Sequence, residues 1–522
     1  MSYTSFGYLF LFLPLVWVLW AVLPRRGRPA VLLAASLLFY WISSGRYLIW
    51  MLAAAGVTWL TGLLLGRLDT LSATTRPELS PAGRKTFKKQ LTGAKRLAVG
   101  GGAAVLLGVF LWLKYWPFAA RSIAALLDRM PGALSLTVPS YVLPLGISFV
   151  TLMAVGYLVD VYRGSCRPAA HYWQVLSFLC FWPHVVEGPF DRWDSLSGPL
   201  LDPPRPSYKN LTFGVQRVVW GLFKKMVIAD RANMYVKAVF DDYTQYSGLA
   251  VVVGTLLYTL QLYAEFSGCM DIVLGSAECF GIPLAENFRQ PFFSRTVGEF
   301  WRRWHITLGA WLREYLFQPL ILSGPWKSLG KFCRTRLGAA AGRSLPVWAA
   351  LGVTWVAIGW WHGAGWLYLV YGLYYFFWQL LGEIFEPIFT ARIPHLAELR
   401  SRRWYRLFQV LRTCLLVLGG MLIFRANGTK AAIAMFRSLA VPYAGSLLIQ
   451  LDARDLAVLA VGAVLLLAVD LLHEKGIAIR QRLAAAPLVL RWAVYIAGVL
   501  AILIFGAYGD NYDPAGFIYA QF

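Results

Sequence analysis

Residues 347–366 read VWAALGVTWVAIGWWHGAGW, from Val347 to Trp366. Val347–Trp361 carries no ionisable side chain, and the run ends on the imidazole of His362 between Trp and Gly residues. Alone, an apolar run of this length suits either a core helix or a tilted membrane segment, since crossing the hydrocarbon core takes about 20 residues. Comparable runs occupy Phe6–Leu23, Ala30–Ile42, Tyr47–Leu65, Leu97–Leu113, Tyr141–Val159, Leu211–Ile228, Ala250–Ala264, Trp366–Ile384, Phe408–Ile423, Asp455–Leu472 and Leu490–Gly506. The repetition predicts an all-α polytopic membrane protein of about eleven or twelve spans, some re-entrant.

Composition leads to the same class. The 522 residues are 58% hydrophobic and 14% charged, with a mean hydropathy of +0.56. A soluble domain has roughly 45–50% apolar and about 25% charged residues. A soluble enzyme, a disordered chain and a secreted disulfide scaffold are therefore excluded. Lys and Arg number 49 against 26 Asp and Glu, a net charge of +23. The cations lie in short stretches between apolar runs, which reads as a positive-inside bias and contact with anionic lipid rather than nucleic-acid binding. The stretches holding Arg25–Arg28, Arg84–Arg96, Lys327–Arg336, Arg400–Arg406 and Arg480–Arg491 all fall on the cytoplasmic side if both termini are outside. The N-terminal run has no basic leader or small-residue cleavage site and reads as the first span. No internal repeat is visible, so one membrane domain covers 1–522, with N-terminal helices 1–140, a core 141–385 and C-terminal helices 386–522.

Ionisable groups at membrane depth mark function. His362 sits among Trp and Gly, where a neutral imidazole could take a proton from a hydroxyl, or rest as a satisfied core residue. His305 lies in Glu299-Phe300-Trp301-Arg302-Arg303-Trp304-His305-Ile306-Thr307-Leu308. Helical spacing over Phe300–Leu320 puts Trp301, Trp304, His305 and Leu308 on one face. That suits either an interfacial anchor or a phosphate-binding pair, Arg302 and Arg303. Gln261-Leu262-Tyr263-Ala264-Glu265-Phe266-Ser267-Gly268-Cys269-Met270-Asp271 sets two acids in apolar surroundings. Ser267-Gly268 could break the helix there, and the acids could orient a His, pair with Arg302 or Arg303, or bind a cation. Phe181–Arg192, with Pro183 and Gly188-Pro189, reads as irregular and re-entrant; it holds His184 and Glu187, a possible hydrogen-bonded pair. The six Cys lack metal-ligand spacing and read as buried thiols, with Cys180 a weak nucleophile candidate. No metal site, P-loop, dinucleotide fingerprint or hydrolase elbow is present.

These blocks, in this order, resemble the membrane-bound O-acyltransferases, in the bacterial branch of alginate O-acetyltransferases and lipoteichoic acid D-alanyl transferases. The likeness also uses Pro144–Phe149, Trp220–Asp230, Glu286-Asn287-Phe288, Phe424-Arg425-Ala426 and Phe517–Phe522. It implies a helical ring around a central funnel and a catalytic role for His362, with His305 as a second functional position. Arg302, Arg303, Trp304, Trp361, Gln261, Tyr263, Ser267 and Asn287 are then expected to bind donor or acceptor. Glu265, Asp271, His184 and Glu187 are expected to support them. The implied reaction takes an acyl group, acetyl by preference, from a cytosolic thioester (acetyl-CoA or an acyl carrier protein) with no bound cofactor. It delivers the group toward an exported polysaccharide through an extracytoplasmic partner, at the bacterial plasma membrane. Asp191-Arg192 is closer to the D-alanyl branch; the length and terminal block are closer to the alginate branch. An ion or solute transporter is the alternative from another class, and it predicts inverted repeats.

Overall fold

The computed structural model describes residues 1–128, 138–139 and 141–508. The terminal block Phe517–Phe522 lies outside the described residues. Among them the fold is all-helical, with a single isolated β-bridge, Phe288–Trp304. The chain divides into two compact units, Met1–Val215 with Val273–Ala285, and Gln216–Ile272 with Glu286–Phe522.

The first unit begins with α1 (Gly7–Val22), α2 (Arg28–Ser44) and α3 (Leu48–Thr75). Gly45 separates α2 from α3 at φ +52°, a left-handed conformation that glycine adopts without steric cost. α4 runs from Pro81 to Leu127. Ser80 caps it by accepting the Gly83 N–H, and Pro81 opens it where no amide partner is needed. Its 47 residues reach roughly 70 Å, far beyond a hydrocarbon core of about 30 Å. The cationic stretch Arg84–Arg96, expected as a loop, is therefore the exposed first part of this helix. α5 (Ile147–Arg163) is buried on nearly all sides, and α6 (Tyr172–Cys180) leads into the irregular segment 181–192.

α7 (Tyr208–Leu222) runs into the second unit at Gln216, and its C-terminal part continues as a π-helical turn, Phe223–Ala229. The long α8 (Gly248–Cys279) follows. α9 (Val297–Arg303), α10 (Ile306–Leu312), α11 (Gly324–Leu337), α12 (Ala339–His362) and α13 (Trp366–Arg392) carry the chain past both candidate histidines. α14 (Arg403–Arg425), α15 (Ala453–Glu474) and α16 (Leu488–Phe505) close the described chain.

Seven helical stretches among the described residues are long and apolar enough to cross a membrane: Arg25–Glu78, α4, α8, α12, α14, α15 and α16. The lower number than expected has identifiable causes. Two expected spans share the stretch Arg25–Glu78, and α1 and α5 are too short. Residues 211–228 carry Lys224 and Lys225, which are buried. The aromatic α13 does not qualify.

α8 also differs from expectation, because it runs unbroken through Ser267-Gly268. The glycine serves packing. A Cβ on Gly268 would lie 2.9 Å from the Gly221 carbonyl oxygen, and one on Gly221 2.5 Å from that of Gly268. The two backbones touch, which only a residue without Cβ permits.

Candidate active site

His362 is the last residue of α12 and is 3% exposed. The turn after it is possible because its glycines let the next helix close in. A Cβ on Gly359 would meet the Tyr368 carbonyl oxygen at 2.2 Å, and one on Gly372 the Trp355 carbonyl oxygen at 2.4 Å. One on Gly363 would strike the Tyr368 ring at 2.1 Å. α12 and α13 thus pack backbone to backbone beside the imidazole. Three aromatic rings then wall it edge-on: Trp361 with centroids 4.9 Å apart, Tyr371 at 5.7 Å and Phe424 at 5.2 Å. Such walls hold the ring away from water, and an imidazole can accept a proton in its neutral form.

His305 is reached by a bend, not by the continuous helix the spacing suggested. α9 ends at Arg303, Trp304 is extended, and His305 takes the left-handed conformation at φ +49° before α10 begins. The expected common face of Trp301, Trp304, His305 and Leu308 is therefore broken. The cause is pairing with residues 287–289. The Arg289 N–H donates to the Arg303 carbonyl at 2.9 Å, and the Ile306 N–H to the Asn287 carbonyl at 3.0 Å. Asn287 Oδ1 accepts from the Thr307 N–H at 3.0 Å and the Thr307 hydroxyl at 2.8 Å, and lies 3.4 Å from His305 Nδ1. Asn287 is thus a side-chain cap for the turn that aims His305. The aimed ring meets Phe266 edge-on at 4.9 Å and Trp361 at 5.5 Å. Burial pushes its pKa down to about 3, so it is neutral at physiological pH.

Trp361 therefore touches both histidines, and the structure brings His305, Asn287, Trp361 and His362 into one cluster. Trp304 supports it from behind, packed on Phe288 at 5.1 Å, Phe300 at 5.5 Å and Tyr263 at 6.0 Å.

The Gln261–Asp271 block is a web of ion pairs. Asp271 binds Arg217 at 2.8 Å and Lys224 at 2.6 Å, and Arg217 also holds Glu286 at 2.6 Å. Glu265 and Asp230 share Lys225 at 3.1 and 2.6 Å. Ser267 accepts from Lys224 at 2.9 Å. The Gln261 amide donates to Asn233 at 3.0 Å, and the Tyr263 hydroxyl to Asp470 at 2.7 Å. The acids are thus paired with Arg217, Lys224 and Lys225 rather than with Arg302 or Arg303. Arg303 is held instead by Glu299 at 2.8 Å and Glu474 at 2.7 Å, while Arg302 is exposed. Buried charges need such partners, because an uncompensated one is strongly destabilising. The three cations lie in or beside the Trp220–Asp230 block, but separations of 40 residues and more hid the pairing.

His184 and Glu187 belong to the first unit. The segment 181–191 is irregular, as expected, and wholly buried. Its backbone finds partners within that unit: the Tyr3 hydroxyl donates to the Trp182 carbonyl at 2.6 Å, and the Trp182 N–H donates to Ser36 at 3.2 Å. His184 has Nε2 2.9 Å from the Phe178 carbonyl and Nδ1 3.5 Å from Asp191. That suits a scaffold for irregular backbone. Burial pushes the Cys180 thiol up to about 12, the opposite of what a thiolate nucleophile requires. Tyr371 was missed, although Tyr368, Tyr371 and Tyr375 repeat at helical spacing.

Comparison with known proteins gives the site its context. The family model of the membrane-bound O-acyltransferases matches residues 170–422, a range holding all the candidate residues. A probable alginate O-acetylase of Azotobacter vinelandii is 30% identical over 440 residues, covering 84% of this chain and 78% of that protein. A peptidoglycan O-acetyltransferase of Helicobacter pylori is 31% identical, covering 44% and 46%. A teichoic acid D-alanyltransferase of Bacillus subtilis is 26% identical, covering 54% and 68%. With a match of this extent, and with His305 and His362 gathered on one tryptophan, the chain belongs to the membrane-bound O-acyltransferase family and is a multi-pass integral membrane O-acyltransferase.

Proposed function

We propose that the protein transfers an acetyl group from a cytosolic thioester, acetyl-CoA or a carrier-protein thioester, toward hydroxyls of an exported cell-surface polysaccharide at the plasma membrane. The observation that carries this reading is the burial of His362 within an aromatic wall that also touches His305. His362 accepts the proton of the acceptor hydroxyl as its oxygen attacks the thioester carbonyl. The new C–O bond forms, the C–S bond breaks, and the proton passes to the departing thiolate. His305 stays neutral and positions donor or acceptor, and the exposed Arg302 attracts the donor's phosphate. The ion-pair web keeps α7 and α8 rigid around the site. A separate extracytoplasmic transferase receives the acyl group.

The alginate O-acetylase likeness, which covers most of both chains, favours acetyl over D-alanyl transfer. The test is incubation of purified protein with acetyl-labelled coenzyme A, or with a labelled D-alanyl carrier, following loss of label from the donor. Label moving from coenzyme A, and lost in His362→Ala, supports the reading. Label moving only from the D-alanyl carrier replaces it with the second chemistry, and label moving from neither removes both.

A further inference from the structure

We infer that the cavity between α11 and α12 binds the phosphate headgroup of an anionic phospholipid. The cavity has a volume of about 390 Å³ and is lined by Lys327, Lys331 and Arg334 from α11 and Arg343 from α12, with Trp326 and Pro346. Lys327, Lys331 and Arg334 follow one another by four and three residues, so one face of α11 is cationic. All four cations are exposed. Between Glu314 and Glu383 the sequence contains no Asp or Glu, so these cations have no acid nearby in the chain. This contrasts with Arg303, which two carboxylates already engage.

The hairpin is rigid where it encloses the cavity. A Cβ on Gly342 would lie 2.6 Å from the Arg334 Cβ, so α11 and α12 pack tightly there. The Trp326 indole N–H donates to the Pro346 carbonyl at 3.0 Å. Apolar side chains share the rim of the cavity with the cations: Ile321, Pro346 and Val347 line it, and Val347 is exposed. A free phosphate has no use for such a rim, whereas a lipid supplies acyl chains to cover it. α11 has 14 residues, too few to span, and it adjoins α12, which is long and apolar enough to do so. A short helix of this kind, with a cationic face, a Trp and exposed apolar residues, suits the membrane surface. Basic pockets beside membrane helices bind lipid headgroups by this chemistry. Arg343 and His362 lie roughly 29 Å apart along α12, at a rise of about 1.5 Å per residue. The cavity is therefore distinct from the acyl-transfer site.

The test uses full-length protein in neutral detergent, stripped of lipid and titrated with short-chain phosphatidylglycerol or phosphatidylcholine under native mass spectrometry. Phosphatidylglycerol is expected to bind at least tenfold tighter. Lys331→Gln combined with Arg334→Gln should weaken it by about thirtyfold, at the contribution usual for two surface cations. Lys88→Gln with Lys89→Gln, on α4 and outside the cavity lining, should leave it unchanged. If the α11 double variant elutes as aggregate, Arg343→Gln on α12 gives the same reading from the opposite wall. Equal binding of the two lipids overturns the proposal, as does an unchanged affinity in the variants. Displacement by coenzyme A or inorganic phosphate at equal concentration also overturns it, assigning the cavity to a nucleotide or free phosphate. Binding is read without turnover, so the outcome is independent of the acyl-transfer reading.

Discussion

The indole of Trp361 stands edge-on to the imidazole of His305 with ring centroids 5.5 Å apart, and its next residue in the chain is His362. One side chain therefore sets the separation of two histidines that lie 57 positions apart in sequence.

Trp361→Ala should lower acyl transfer by about tenfold or more, since edge-to-face contacts are worth about 0.5–1.5 kcal/mol each and both rings lose one. Trp361→Phe should retain most of the rate. Initial rates with labelled donor measure this, and equal rates in both variants would remove the bridging role. His362→Ala should lose about 10²–10⁴-fold, the usual span for a general base.

Asn287→Ala removes the acceptor of the Thr307 N–H and hydroxyl bonds and should cost about 1–2 kcal/mol of stability. Asn287→Asp keeps an acceptor and should recover much of it. The readout is the thermal midpoint in detergent; a midpoint unmoved by Ala argues against the cap.

Lys225 and Glu265 should respond unequally to substitution. Lys225→Met leaves Glu265 and Asp230 facing each other without their shared cation, at a cost of about 3–5 kcal/mol or loss of folded protein. Glu265→Gln leaves Lys225 with Asp230 and should cost less. Expression level and thermal midpoint compare the two, and the reverse order would contradict the web as described.

Acid should destabilise the protein partly through His305. Its folded pKa of about 3 lies below the ordinary value of about 6.5, so the unfolded chain binds the proton first. The neutral ring's contribution is complete above about pH 6.5 and is lost progressively as pH falls from there toward 3. Thermal midpoints from pH 7.5 to 5 should fall less steeply in His305→Gln than in the parent. Parallel curves would mean that His305 does not contribute.

Gly359→Ala puts a methyl 2.2 Å from the Tyr368 carbonyl oxygen and should force α12 from α13. Overpacking of this kind costs about 1–3 kcal/mol, and activity should drop with the displaced His362. Gly382→Ala, with open space around it, is the control.

Much of this was legible along the chain. Apolar runs and the scarcity of charge marked a polytopic membrane protein and made His362 and His305 visible, and the resemblance of the ordered blocks to the acyltransferases made it an enzyme. They are one-dimensional signals, because a side chain's hydrophobicity does not depend on its neighbours in space. The helix break at Trp304–His305 was not legible. Local spacing favours a continuous helix there, and the bend exists only because residues 287–289 pair with it. The partners of Glu265 and Asp271 were hidden for the same reason, since charges find each other across distances that sequence order does not encode.

The sequence by itself determined the class of solvent, the helical architecture and the identity of the two histidines, through composition and motif. Only the tertiary structure decided that Trp361 joins them, that Asn287 aims one of them, and that Arg217, Lys224 and Lys225 neutralise the buried acids. Each of these is a contact between distant segments, set by glycine-permitted backbone approach and by the need of buried polar groups for partners.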